Sequence, residues 1–274
     1  MKVYYSCFVD VHPKFQYQCW IWIHSLLKLA KIAPECIWVH YRKGVDELFL
    51  EKIASFRINT KELDCMHEQK ELTKITQLAN KRFEEADVIV LMDTDMIMTT
   101  SIHDKIDCHF ISGKVVDFPN PKISILDELF IQAELSNSLG VIKADFSQEI
   151  TYKGYLNRGL YIIPKKFIST IFKGWNKWAL WLVENKALLK KDHNFLFEQV
   201  SFCLTIHENN LPVNHLSSIY NYPLDHHSSK IGSPIIIRYH KTLDQPKLLP
   251  IPPNANQSYK NCLKKVNEMI GGSI

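Results

Sequence analysis

Glycine is scarce in this chain, 9 of 274 residues. Neither GxxxxGK[ST] nor GxGxxG occurs, which excludes the two glycine-built cradles in which backbone N–H groups wrap a phosphate. Cysteine pairs are missing too: Cys7, Cys19, Cys36, Cys65, Cys108, Cys203 and Cys262 include no CxxC, and most sit in apolar runs. They read as reduced core residues rather than zinc ligands or a redox dithiol. No block of like charge stands out, since 33 Lys and Arg are dispersed against 29 Asp and Glu for a net charge of +4. That balance suits an anionic ligand or an acidic membrane surface touched peripherally, and it argues against nucleic acid. No apolar run is long enough to span a bilayer. The most apolar stretch, CWIWIHSLLKLAKIA, carries His24, Lys28 and Lys31 and reads as a buried helix. MKVYYSCFVD has no signal-peptide pattern, so a cytoplasmic location is expected.

What is present is an ordinary globular composition, 46% hydrophobic and 23% charged, enough to bury a core throughout. VYYSCFVDV reads as a strand and is followed by a helical pattern from about 15 to 33. ECIWVHY, VDELFLEKIASF and RINTKELD then read as strand, helix and extended segment, ahead of a helix over about 68–84 and the strand ADVIVLMD. Strands that are apolar throughout, alternating with helices, predict an α/β fold with a parallel sheet covered by helices on both faces. Beyond residue 105 the pattern predicts an extended SGKVVDF, a helix near LDELFIQAELSNS, a strand YLNRGLYIIP and an aromatic helix near FISTIFKGWNKWALWLVEN. A helix over DHNFLFEQVSFCLTIHE, a last strand PIIIRYHK and a short helix over about 256–270 complete it. Repeats, low-complexity tracts and Gly/Ser linkers are all missing. One domain over 1–274 is therefore expected.

VIVLMDTDMIM concentrates the chemistry. Asp93 and Asp95 close a strand that is otherwise apolar, where open α/β sheets bind ligands. Two carboxylates about 4 Å apart repel by roughly 4 kcal/mol at an effective dielectric near 20. A hard divalent cation compensates that repulsion and leaves positions open for substrate phosphates. With only Thr94 between them, both carboxylates can approach one ion, directly or through water. DxD also occurs as solvated loop carboxylates or as a helix cap; the end of a buried strand favours the ion.

VIVLMDTDMIM, then YLNRGLYIIP, FLFEQVSFCL and IIIRYH, in that order and spacing, resemble the metal-dependent nucleotide-sugar glycosyltransferases of the GT-A fold, and among them the glycogenin-like branch and its bacterial relatives. The resemblance runs from residue 3 to about 240. It implies an α/β fold of Rossmann-like kind with a mixed, mostly parallel central sheet flanked by helices on both faces, a nucleotide-binding half over about 1–105, an acceptor half over about 106–245 and a tail over 246–274. It also implies Mn²⁺ or Mg²⁺ on Asp93 and Asp95 with His240 as third ligand, although KTLDQPKLLP after His240 departs from the family's Gly-rich continuation. The donor would be a nucleoside diphosphate sugar, a UDP-sugar first, and the acceptor a carbohydrate or glycolipid hydroxyl. Phe8, Val9 and Asp10 match the wall that receives the base. Asn157 and Gly159 match an Asn-x-Gly element at the sugar, with Arg158 between them for a phosphate or acidic group or simply facing solvent. Thr94, Lys81 and Asp117 fall at donor-contacting positions.

The reaction implied is substitution at an anomeric carbon, in which stabilising the departing diphosphate is the main task. Glu198 and Gln199 in FLFEQVSF fall where relatives place a reacting-centre Glu/Asp-Gln pair, so Glu198 is the candidate base or ion-pair stabiliser, with Asp192 as the alternative. Trp175, Trp178 and Trp181 read as core packing, and His226 and His227 as loop residues without a zinc partner. A turnover-deficient GT-A-like binding protein is the other reading. A DxD phosphatase is less favoured, because its pair closes the first strand and a GDxxxD-like element follows.

Overall fold

The structure is a computed structural model, and it describes residues 1–64, 72–189, 193, 196–224, 232–239 and 248–272. Along the chain come β1 (Val3–Val9), α1 (Pro13–His24), β2 (Ile37–Tyr41), α2 (Glu47–Ala54), β3 (Asn59–Glu62), α3 (Thr73–Leu78) and β4 (Val88–Met92). Next are β5 (Met96–Met98), β6 (Ile111–Lys114), α4 (Ile123–Gln132), β7 (Val141–Lys143), β8 (Ile150–Tyr152), β9 (Leu160–Pro164) and α5 (Lys165–Glu184). The last are α6 (Phe197–Glu208), β10 (Val213–Leu216), β11 (Tyr222–Pro223), β12 (Ile236–Arg238) and α7 (Gln257–Gly271). Seven strands hydrogen-bond in the order β10-β6-β9-β4-β1-β2-β3. β1/β2, β2/β3 and β10/β6 are parallel and β6/β9 antiparallel, the mixed, mostly parallel sheet flanked by helices that the resemblance implies. β4 is apolar at every position and no more than 1% exposed at any of them, as a strand covered on both faces must be.

By internal contacts the chain divides into two compact units. One holds Lys2–Asp64, Val90–Ile106 and Ser217–Ile274; the other holds Met1, Cys65–Ile89 and Asp107–Leu216.

In the first unit, α1 starts on Pro13 at a position that needs no N–H, with the His12 ring accepting from the Lys14 amide at 3.1 Å. It runs into a turn of π-helix, Ser25–Leu29, a local widening often found beside functional segments. Ser25 uses it: its hydroxyl donates to Trp22 O at 2.7 Å and accepts the Met98 amide of β5 at 3.1 Å. β5 belongs to a second sheet, β11-β12-β5, in which β12 falls within the last strand expected at PIIIRYHK, while its short neighbours β5 and β11 do not stand out in sequence. The thiols of Cys7 and Cys19 lie buried 3.8 Å apart, and none of the six described cysteines forms a disulfide; Cys65 lies outside the described residues.

Two buried histidines in this unit set an acid limit on stability. Burial first, then Lys28 and Lys52, lower His24 to about 4; burial, then Lys61, lowers His40 to about 3. Both are neutral in the fold, whereas the unfolded chain takes up their protons below about 6.5. Stability from this source is therefore complete above pH 6.5 and is lost as pH falls toward 4 and 3, by about 1.4 kcal/mol per pH unit for each histidine. His24 packs edge-on between Trp20 and Phe56. His24→Phe is expected to make the decline in urea midpoint between pH 7 and pH 5 shallower; an unchanged decline would remove His24 as its source.

In the second unit, α5 and α6 pack through a close approach at Gly174, where a Cβ would lie 2.6 Å from Thr205 Cγ2. Trp175 and Trp178 are buried at 0% and 3% exposure and Trp181 stacks edge-on against Trp178, the packing role predicted for all three. Two sequence expectations are corrected here. The helix near LDELFIQAELSNS stops at Gln132, because Glu134 takes a left-handed φ of 54° that terminates it. YLNRGLYIIP is strand only from Leu160: the Asn157 side-chain oxygen accepts the Gly159 amide at 3.0 Å, an Asx turn that competes with the ladder. β10 and the β7/β8 hairpin were not foreseen. No helix among the described residues is long and apolar enough to cross a membrane.

Candidate active site

β4 delivers the DTD segment. At its end the chain turns, burying Thr94 to 6% exposure while Asp93 and Asp95 stay half-buried. Thr94 Oγ1 donates to Gln18 Oε1 of α1 at 3.2 Å, and Gln18 is itself 2% exposed. Beyond the turn, β5 pairs antiparallel with β12 through Met96↔Arg238, Ile97↔Ile237 and Met98↔Ile236, and the Tyr239 amide donates to Asp95 O at 3.1 Å. The segment is thus held at its middle by α1 and on its far side by β12. Burial pushes the Tyr239 phenol well above its ordinary range, and the Asp95 charge adds to the shift. His240 follows Tyr239 in sequence and lies outside the described residues, as do Asp192, His226 and His227.

Of the residues assigned to a base wall, Val9 is fully buried and Phe8 and Asp10 are partly exposed at the end of β1. Asp10 Oδ1 accepts the Val11 amide at 2.7 Å and lies 3.6 Å from Arg42 Nη1; Arg42 follows β2, the strand parallel to β1.

Among the described residues, no group of three or more His, Cys, Asp and Glu side chains could hold a metal ion. The donors that do occur at the strand end are two carboxylates, one Asp95 oxygen being buried. That is a set for a small hard cation of the Mg²⁺ or Mn²⁺ kind, which takes one or two carboxylates and completes its shell with phosphate oxygens and water. Carboxylate oxygens of this kind are hard donors, unlike the thiolates a soft metal prefers.

The second unit gathers another set of predicted residues. Asn157 is 7% exposed; its amide nitrogen donates to Asp117 Oδ2 at 3.0 Å, its oxygen holds Gly159 N, and its own N–H donates to Lys114 O at 2.7 Å. Asp117 and Asp145 both pair with Lys114, the latter at 3.1 Å. Gln199 Oε1 accepts the Arg158 amide at 3.1 Å, so the residue between Asn157 and Gly159 is held by α6 while Asn157 itself holds Asp117 and Gly159. Glu198 is placed differently. It is 2% exposed, accepts the Lys74 amide at 2.6 Å in the first turn of α3, and has Lys74 Nζ 4.0 Å away. Lys81 is exposed at the start of a 3₁₀ turn, Lys81–Glu85, whose N-terminus Asn80 caps.

Sequence reasoning missed four residues that hold these groups: Gln18, Lys74, Lys114 and Asp145. Lys114 left a signal, a lysine inside an extended apolar segment, where a charge is rare unless paired.

No protein-family model and no curated protein matches this chain. Solved structures do. The galactosyltransferase LgtC, in complex with donor and acceptor sugar analogues, matches with a TM-score of 0.56 at 13% identity over 98% of this chain and 95% of that one. An active-site mutant of LgtC, with glutamine changed to glutamate, scores 0.55. Mouse xyloside xylosyltransferase 1 matches at 0.51 and 13% identity, over 91% of this chain and 99% of that one. The glycosyltransferase GlyE of Streptococcus pneumoniae matches at 0.52 and 12% identity, this chain being 99% covered but spanning 63% of GlyE. What such distant matches show is architecture: this chain has the α/β fold of the GT-A glycosyltransferases.

Proposed function

We propose that this protein transfers a glycosyl group from a nucleoside diphosphate sugar to a hydroxyl acceptor, with Asp93 and Asp95 holding Mg²⁺ or Mn²⁺ at the donor diphosphate. The observation that carries this reading is the DTD turn itself: two half-exposed carboxylates at the end of a fully buried strand, flanking a Thr94 anchored to Gln18, in a chain that shares its fold with glycosyltransferases. In the step envisaged, the acceptor oxygen bonds to the anomeric carbon as that carbon's bond to the phosphate oxygen breaks. The nucleoside diphosphate departs with the electron pair and the hydroxyl proton is released. When bound, the cation supplies Lewis-acid stabilisation of the leaving diphosphate.

The remaining roles belong to the chain's own side chains. Asp93 and Asp95 are the metal ligands, with His240 as the third and a UDP-sugar as the first donor to try. Asp117 and Asn157 take sugar hydroxyls, for which a carboxylate and an amide supply acceptors and a donor. LgtC has an active-site glutamine; Gln199 is the glutamine we assign to the reacting sugar here. Burial and the Lys74 pairing support the ion-pair role for Glu198 over that of a base, which leaves Asp192 as the carboxylate to test for proton removal. The acceptor we propose is a carbohydrate or glycolipid hydroxyl.

The test is release of nucleoside diphosphate from a panel of UDP-, GDP- and CDP-sugars, with Mn²⁺ and with chelator. Metal-stimulated release supports the transferase. Metal-dependent binding without release identifies a sugar-nucleotide-binding protein, and neither binding nor release by any member overturns the reading.

A further inference from the structure

Tyr239 is 0% exposed, and its hydroxyl has no hydrogen-bond partner among the described residues. The ladder sets its place. β12 and β5 pair antiparallel from Ile236↔Met98 to Arg238↔Met96, and the Tyr239 amide, donating to Asp95 O at 3.1 Å, carries that register on by one residue. Tyr239 thus stands directly across from Asp95. Residues so opposed put their side chains on one face of the sheet, with Cβ atoms about 4.5–5.5 Å apart. The pair before them on that face is Ile97 and Ile237, both 0% exposed, so a phenol and a carboxylate end an otherwise apolar face together. Asp95 Oδ1 is buried there, and the Asp95 charge is felt at the phenol, adding to the rise that burial causes. We infer that Tyr239 is a positioning residue for the cation site: its hydroxyl serves Asp95, whose carboxylate it hydrogen-bonds, directly or across one water molecule, when a divalent cation binds there.

Packing alone does not ask for a tyrosine. Phenylalanine fills nearly the same space and buries no polar atom, whereas a hydroxyl taken out of water without a partner costs stability. Most buried polar groups are paired, and one that is not calls for an explanation, a role in binding or catalysis among them. The cation reading supplies one. A carboxylate that ligates a metal is itself held by hydrogen bonds from outside the metal's shell, and a phenol can donate one such bond while accepting another. One turn of α1 reaches the same place: Tyr17 and Cys19 both act on the Tyr239 phenol, and Gln18 between them accepts from Thr94. The DTD turn is therefore supported by α1 through Thr94 and by β12 beside Asp95, both within the first unit. Tyr239 touches neither cation nor sugar nucleotide in this scheme; it acts through Asp95.

This inference rests on the cation reading above, and the experiment separates the two. Mn²⁺ binding, followed through the paramagnetic resonance of the free ion alone and with UDP or GDP, and thermal melting of the metal-free protein are measured for the wild type and Tyr239→Phe. The variant is expected to bind Mn²⁺ about tenfold more weakly, as the loss of a group that orients a metal ligand does. Without metal it is expected to melt at or above the wild-type temperature, because the hydroxyl removed has no partner there. Mn²⁺ affinity within about twofold of wild type overturns the inference, since an orienting group is worth more than that. A metal-free melting temperature clearly below the wild type's also overturns it, because the hydroxyl would then be engaged before any cation binds. A wild-type protein that takes up no Mn²⁺, alone or with either nucleotide, overturns the cation reading, and this inference with it.

Discussion

Asp95→Ala is expected to abolish metal-dependent binding of nucleoside diphosphate sugars while leaving the fold intact. The size of the loss follows from the position of the residue. Changing a group that merely orients a metal ligand lowers affinity on the order of 10- to 100-fold, so removing one of the two carboxylates proposed as ligands should exceed 100-fold. The fold is expected to survive because the backbone there is held independently of the side chain: the Asp95 carbonyl accepts from Tyr239, and the next three residues are laddered to β12. Asp95→Asn, which keeps the shape and removes the charge, is expected to behave similarly, and a chelator should reproduce either variant in the wild type. Calorimetric affinity for every sugar nucleotide unchanged by Asp95→Ala, with Mn²⁺ present, would sink the assignment.

Trp175→Ala is the substitution with the largest expected effect on stability, about 3–5 kcal/mol. Trp175 is fully buried, lies edge-on to Tyr161 and Phe202 at 5.5 and 4.6 Å, and donates its indole N–H to Glu198 O at 2.8 Å. Truncation leaves a cavity at the contact of α5 with α6 and strips a partner from the Glu198 carbonyl, so packing and hydrogen bonding fall together. Trp175→Phe keeps an aromatic ring and gives up the hydrogen bond, for an expected cost of about 1–3 kcal/mol. Trp181→Ala, in a half-buried position, should cost less than either truncation at Trp175. Urea midpoints of the three variants test the ranking. A loss below about 1 kcal/mol for Trp175→Ala would show that the site collapses around the missing ring.

These two substitutions mark how differently parts of the protein can be read. Asp93 and Asp95 were visible because a pair of charges interrupts VIVLM…MIM, and a local contrast of that kind survives in one dimension. The helix carrying Trp175 was visible for the same reason, as a run of apolar and aromatic residues at helical spacing. Asn157 and Gly159 were found as a motif, but their conformation was misread as strand, since only the Asx turn closed by Asn157 onto Gly159 N decides that the ladder begins at Leu160. Glu198 was singled out by its place in FLFEQVSF, and nothing in that segment foretold that its carboxylate would meet the first turn of α3, 124 residues earlier in the chain.

Hydrophobic order along the chain determined by itself that strands alternate with helices, that β4 runs through the interior, and that two acids stand at its end. Those properties follow from which residues leave water, and apolar burial is additive along a segment and indifferent to the partner. Tertiary structure alone decided that Gln18 anchors Thr94, that Lys74 meets Glu198, and that Lys114 draws in Asp145. A hydrogen bond or ion pair is specific to a few tenths of an ångström and to angle. Its partners are therefore chosen only once packing has brought distant segments to within that range.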